Sequence, residues 1–193
     1  MLHASKSSSS LRLRTRTVTS AFAVLGLLGG TMLVGCGGGS TPSNSNPGSG
    51  TGGVSATFSN ASGTNANTSA FQSNRVLAQT SSGAITLLNV SGTNISGATS
   101  RTFLIILADN GPIQAGKTYT FASPSASNVS YTESAGATAH GWSTTGGSAI
   151  VDSVTGKNYK LRLINAIFDS GADNNSGATG SFTINGTVDA TTP

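Results

Sequence analysis

The chain has 193 residues, 26 of them glycine, and only 8% are Asp, Glu, Lys or Arg. Its formal net charge is +4, from ten Lys and Arg against six Asp and Glu. Four of those ten, Lys6, Arg12, Arg14 and Arg16, lie in the first sixteen positions. The rest is balanced at six against six, which excludes a basic surface of the kind that recruits nucleic acid or other polyanions.

After the basic stretch, an apolar run from Val18 to Val34 carries Phe22, Val24, Leu25, Leu27, Leu28, Met32 and Leu33, broken by small residues and hydroxyls. A spanning helix needs about 20 apolar residues. This run is shorter and leaves into glycines with no basic flank, so a retained anchor helix is the lesser reading. It ends in Leu33-Val34-Gly35-Cys36, and Cys36 is the single cysteine of the chain. Basic segment, helical apolar segment and terminal cysteine together resemble a bacterial lipoprotein signal peptide with its lipobox.

The resemblance implies a diacylglyceryl thioether on Cys36, removal of residues 1–35 and acylation of the new amino terminus. Two or more acyl chains anchor a protein stably where one is marginal. In lipoproteins of bacteria with two membranes, Asp after the cysteine is associated with inner-membrane retention. Here that position is Gly37, which favours the outer membrane or the cell surface. With its one thiol committed to lipid, the mature protein has no cysteine left for a disulfide.

Residues 36–53 hold the lipidated cysteine and a segment of Gly, Ser, Thr, Asn and Pro with no charged or large apolar side chain. Such a composition cannot bury enough surface to order itself. As a flexible coil it spans about 20 to 25 Å between its ends, a tether between membrane and domain.

Residues 54–193 form the expected domain. Short apolar runs alternate with Ser, Gly, Asn and Thr, with no helix-length periodicity. Strands are predicted at 54–59, 75–80, 84–90, 101–108, 117–121, 128–132, 149–154, 158–168 and 180–188. Tyr159, Leu161 and Leu163 share one face while Lys160 and Arg162 share the other, as in a half-buried strand. Turn signals at Ser81-Ser82-Gly83, Asn110-Gly111-Pro112 and Thr155-Gly156-Lys157 favour hairpins, hence antiparallel pairing. About nine antiparallel strands make an all-β sandwich, with a closed β-barrel as the alternative. The segments Ile113–Phe121, Ser148–Gly156 and Ala178–Gly186 resemble recurring pieces of small β-sandwich lipoproteins of uncharacterised function; that resemblance implies a fold and carries no catalytic residues.

Gly111-Pro-Ile-Gln-Ala-Gly116-Lys117-Thr118 matches the phosphate-loop pattern letter for letter. That loop works by presenting backbone N–H groups at a helix start. Here Pro112 removes one donor and Tyr119-Thr-Phe121 reads as strand. The segment is expected to be a turn feeding a strand, with no nucleotide partner.

Three further candidates remain. His140, the one histidine after the signal segment, would have to assemble with a serine and Asp152 or Asp169 to make a hydrolytic triad; the plainer expectation is a solvated turn. Trp142, flanked by glycines, is expected in the core between sheets, as large aromatics usually bury, with an exposed platform for stacking on a sugar or partner as the alternative. Asp169, Asp173 and Asn175 lie in a loop rich in the oxygen donors calcium prefers. It departs from the EF-hand pattern at Gly171 and Asn174, and such residues also populate plain turns.

The expected function is therefore a membrane-anchored, non-enzymatic β-domain that binds a glycan or envelope protein, with no cofactor beyond the lipid. An envelope hydrolase built on His140 is the alternative.

Overall fold

The computed structural model describes residues 52–122, 124–171 and 176–193. The proposed signal segment, Cys36, all but the end of the tether, Asp173 and Asn175 lie outside the described residues. These contain ten strands and no helix: β1 (Gly53–Ser62), β2 (Phe71–Gln72), β3 (Arg75–Ser81), β4 (Thr86–Ser96), β5 (Thr99–Asp109), β6 (Thr118–Thr120), β7 (Asn128–Ala135), β8 (Thr138–Thr155), β9 (Asn158–Asp169) and β10 (Ser181–Thr191).

Every pairing is antiparallel. The strands form one sheet in the order β2-β1-β10-β9-β8-β7-β5-β4-β3, with β6 added to β8. The all-β antiparallel architecture thus follows the hairpin signals. The facing layers of the expected sandwich are two halves of a single curled sheet. Its end strands, β2 and β3, are consecutive in the chain and separated by Ser73 and Asn74. Ser73 N–H donates to Val54 O at 2.8 Å, and Asn74 N–H donates to Thr93 O at 2.9 Å. One segment therefore belongs to both lips of the curl.

The core lies inside the curl because alternate residues of each strand point there. Val54, Leu88, Val90, Phe103, Ile105, Leu107, Leu161, Leu163, Phe182 and Ile184 are all buried. At its centre Phe168 stacks on Phe182 with centroids 5.1 Å apart, while Phe103 meets Tyr131 at 4.7 Å and Phe71 at 4.8 Å. The two halves approach closely where β4 crosses β1. A Cβ on Gly92 would lie 2.4 Å from a Val54 methyl, so only glycine fits there.

The largest departure from the expected elements is β8. Its first half, including His140-Gly-Trp142 and the following glycines, was expected as a glycine-rich turn; the structure corrects this to strand. It carries β7 on residues 138–143 and β6 on 148–150. Between these partners the ladder slips at Gly146 and Gly147 adopts φ +88°, the local bend that bulges produce. The neighbour answers in kind. Asn165 of β9 sits at φ +46°, so the inward set moves from Leu161 and Leu163 to Ala166 and Phe168. The two-residue strand β2 was not expected from sequence at all.

Candidate functional site

Trp142 is 1% exposed. Its indole N–H donates to Thr179 O at 3.0 Å, and its ring packs on Tyr131 and Phe182 at 5.8 and 5.7 Å. The core expectation holds, and the alternative of an exposed stacking platform is corrected: no face of the ring is open to a sugar. His140 is half-buried on the same inward face. Its Nδ1 lies 2.9 Å from Ser176 O; a carbonyl only accepts, so Nδ1 carries the proton. No hydroxyl or carboxylate among the described residues bonds the ring.

Asp152 lies twelve residues beyond His140 on the same strand, about 40 Å of extended backbone. Its carboxylate is held by Arg162 Nε at 2.8 and 2.9 Å. Asp169 accepts from Gly171 N–H at 2.8 Å, the local turn bond typical of Asp. Among the described residues no group of three His, Cys, Asp or Glu comes together as a metal site. The phosphate-loop look-alike runs through a turn into β6. Its Lys117 pairs with Asp109 at 2.7 Å, and Tyr119 O–H donates to the same carboxylate at 2.7 Å. These bonds hold Asp109 below the usual carboxylate range, Lys117 contributing most.

Sequence reasoning missed Arg101. Its guanidinium lies over Phe58, Phe71 and Tyr131, 5.4 to 5.8 Å from their centroids. Nε donates to Tyr131 Oη at 2.7 Å. The Nη groups donate to Ser69 Oγ and to the carbonyls of Asn67, Ser69 and Ala70 at 2.8 to 3.3 Å. Tyr131 O–H and Asn67 N–H in turn donate to Glu133 Oε1 at 2.5 and 2.7 Å. Burial, then the bond to Glu133, raises the Tyr131 phenol well above its ordinary value. This cluster fastens the loop between β1 and β2 over the aromatic core. Its groups are mutually satisfied, so its role is structural.

Among the described residues, a row of groups with unspent hydrogen-bonding capacity lies on the outside of the curl. A groove of about 560 Å³ crosses β2, β1, β10 and β9 and adjoins a second of about 390 Å³. Gln72, Ser55, Thr187 and Arg162 line both. The register makes them one row across four strands, since Gln72 faces Ser55, Ser55 faces Thr187 and Thr187 faces Arg162. At about 4.8 Å per strand the row is about 14 Å long. The β10 ladder shifts between Ile184 and Gly186, and Gly186 lets β1 pack close beside that bulge, since a Cβ there would lie 2.5 Å from Ser55 O.

Electrostatically the groove is paired. Arg162 faces Asp152, and Lys160 lies 3.4 Å from Asp189. Asp152 is pushed below, and Arg162 above, its ordinary pKa by their shared hydrogen bond. The Nη groups of Arg162 and the side-chain amide of Gln72 have no partner among the described residues. Ser55 and Thr187 share a hydroxyl contact of 2.8 Å. The row can therefore donate and accept hydrogen bonds without presenting a net charge.

Comparison with protein-family models, curated proteins and solved structures found no match to this chain.

Proposed function

We propose that this is a lipid-anchored bacterial envelope protein whose β-domain binds an uncharged glycan or similar envelope polymer without turning it over. The observation that carries the binding reading is the groove row Gln72-Ser55-Thr187-Arg162. It is an extended set of hydrogen-bonding groups over a mostly apolar floor, with each nearby charge paired. Such a surface favours a long, neutral, hydroxyl- or amide-bearing ligand over a polyanion. Anchoring rests on the lipobox-like Leu33-Val34-Gly35-Cys36, with Gly37 favouring the outer membrane.

Calorimetric titration of the full chain with solubilised cell-wall glycan and with neutral polysaccharides tests the groove. Binding should weaken about tenfold in Arg162→Gln, about 1.4 kcal/mol, and comparably in Gln72→Ala. Absence of binding, or binding indifferent to both substitutions, would refute the assignment. The anchor is tested separately by mass spectrometry. The mature amino-terminal peptide should begin at modified Cys36, and Cys36→Ser should stay unprocessed.

A further inference from the structure

A sheet that curls without closing leaves free strand edges, and proteins usually blunt such edges with shortness, bulges, lysine or proline. Three of the four candidate edges here are blunted. β2 has two residues and β6 three. The unpaired side of β1 beyond Thr57 runs into a register shift between Ser59 and Ser62 and a positive φ at Asn60.

The exception is β3. Its seven residues, Arg-Val-Leu-Ala-Gln-Thr-Ser, pair with β4 in unbroken register. The strand contains no lysine, proline or bulge, and one charge, at its first residue. On the side away from β4, no backbone or side-chain hydrogen bond reaches residues 76–81 among the described residues. Val76 and Ala78 point into the core, whereas Leu77 is 48% exposed.

We infer that β3 is a self-association edge, pairing antiparallel with β3 of a second copy about a two-fold axis at Leu77. The strand's single charge at Arg75 and its exposed Leu77 argue for a second copy in this register. An isologous contact places the same strand against itself, which is harmless only if like charges avoid each other. Centring on Leu77 sets Arg75 opposite Gln79 and Val76 opposite Ala78, so no charge meets its own kind. It also covers the most exposed apolar side chain of the strand with its own copy. On the outer face the register already aligns Leu77, Ser91 and Leu104 across β3, β4 and β5, with Leu104 37% exposed. Pairing doubles that row into a continuous one across both copies. Seven residues span about 23 Å, a small contact of the transient class.

Cross-linking suits such a contact. In a two-fold antiparallel pair the central Cα atoms lie about 4.5 to 5.5 Å apart, within disulfide range. The full chain with Leu77→Cys, isolated in membranes and oxidised mildly, should give a disulfide-linked dimer at least about tenfold above wild type. Thr80→Cys should not, because position 80 would face Asn74, leaving the two new thiols about 20 Å apart. Leu77 is exposed, so the substitution spares the core, and emission of buried Trp142 verifies folding. A folded Leu77→Cys protein that stays monomeric overturns the inference. So does equal cross-linking at position 80, or capture of a chain of different mass. Wild type cross-linking through Cys36 would instead count against the lipid anchor, so the two readings fail separately.

Discussion

Arg101→Leu keeps an apolar stem over Phe58 and Phe71 and deletes all five hydrogen bonds of the guanidinium. The four to the loop 67–70 end on exposed groups that water can replace, so they contribute little net. The remaining losses are internal. Tyr131 loses one partner, and Glu133, whose side chain is 18% exposed, keeps its charge with its cation gone. Breaking one side of a largely buried pair costs about 3 to 5 kcal/mol. Because Glu133 still accepts from Tyr131 and Asn67, the lower figure applies, about 3 kcal/mol. That is about a hundredfold in the folding equilibrium, and a large part of the 5 to 15 kcal/mol typical of a domain. Denaturant unfolding followed by Trp142 emission measures it, since the indole lies against Tyr131. Removing the stranded acid as well, in Arg101→Leu with Glu133→Gln, should restore about 1 to 2 kcal/mol of the loss. A single-variant cost below about 1 kcal/mol, with no recovery in the double variant, would refute the view that Arg101 compensates the largely buried charge of Glu133.

Gly147→Ala should destabilise by about 3 kcal/mol or more, because a Cβ at φ +88° would lie 2.3 Å from Asn165 O and neither backbone can yield without breaking the matched bend; near-neutral thermal unfolding would contradict this. Asp109 has its pKa depressed below 3.8, first by Lys117 and then by Tyr119. Its ionised form therefore stabilises the fold fully above the unfolded value and loses that contribution as pH falls through the folded one. Asp109→Asn should lower stability at pH 7 and flatten the decline below about pH 4; an unchanged acid limb in the stability profile would remove Asp109 as its source.

Much of the strand layout was legible because alternation is a local signal. Arg75–Thr80, Lys160 against Leu161, and Phe182 with Ile184 each declare a face within a few residues. The first half of β8 was hidden because Gly141, Gly146 and Gly147 carry no side chains with which to alternate. Two bends also let one strand change partner midway, and only the assembled sheet requires that. Trp142 was legible as a core residue because so large an aromatic usually buries, although its flanking glycines left an exposed platform as the alternative. Of these, Gly147 lies against the backbone of β9 while a Cβ on Gly141 would meet nothing, and the ring turns inward. Arg101 and the groove row were illegible for a different reason. Their members come from β1, β2, β5, β7, β9 and β10 and from the loop before β2, and no spacing in the sequence encodes which strands become neighbours.

The pairing of β1 with β10 sets the timing of assembly. The hydroxyl contact between Ser55 and Thr187 joins residues 132 positions apart, and β1 has no long partner other than β10. Val54, Phe58 and Ala56 therefore have no completed wall to pack against until β10 has been made and delivered. Closing so large a loop is entropically slow. The first long strand of the domain to be made must therefore wait for the last, β10, before the core can close.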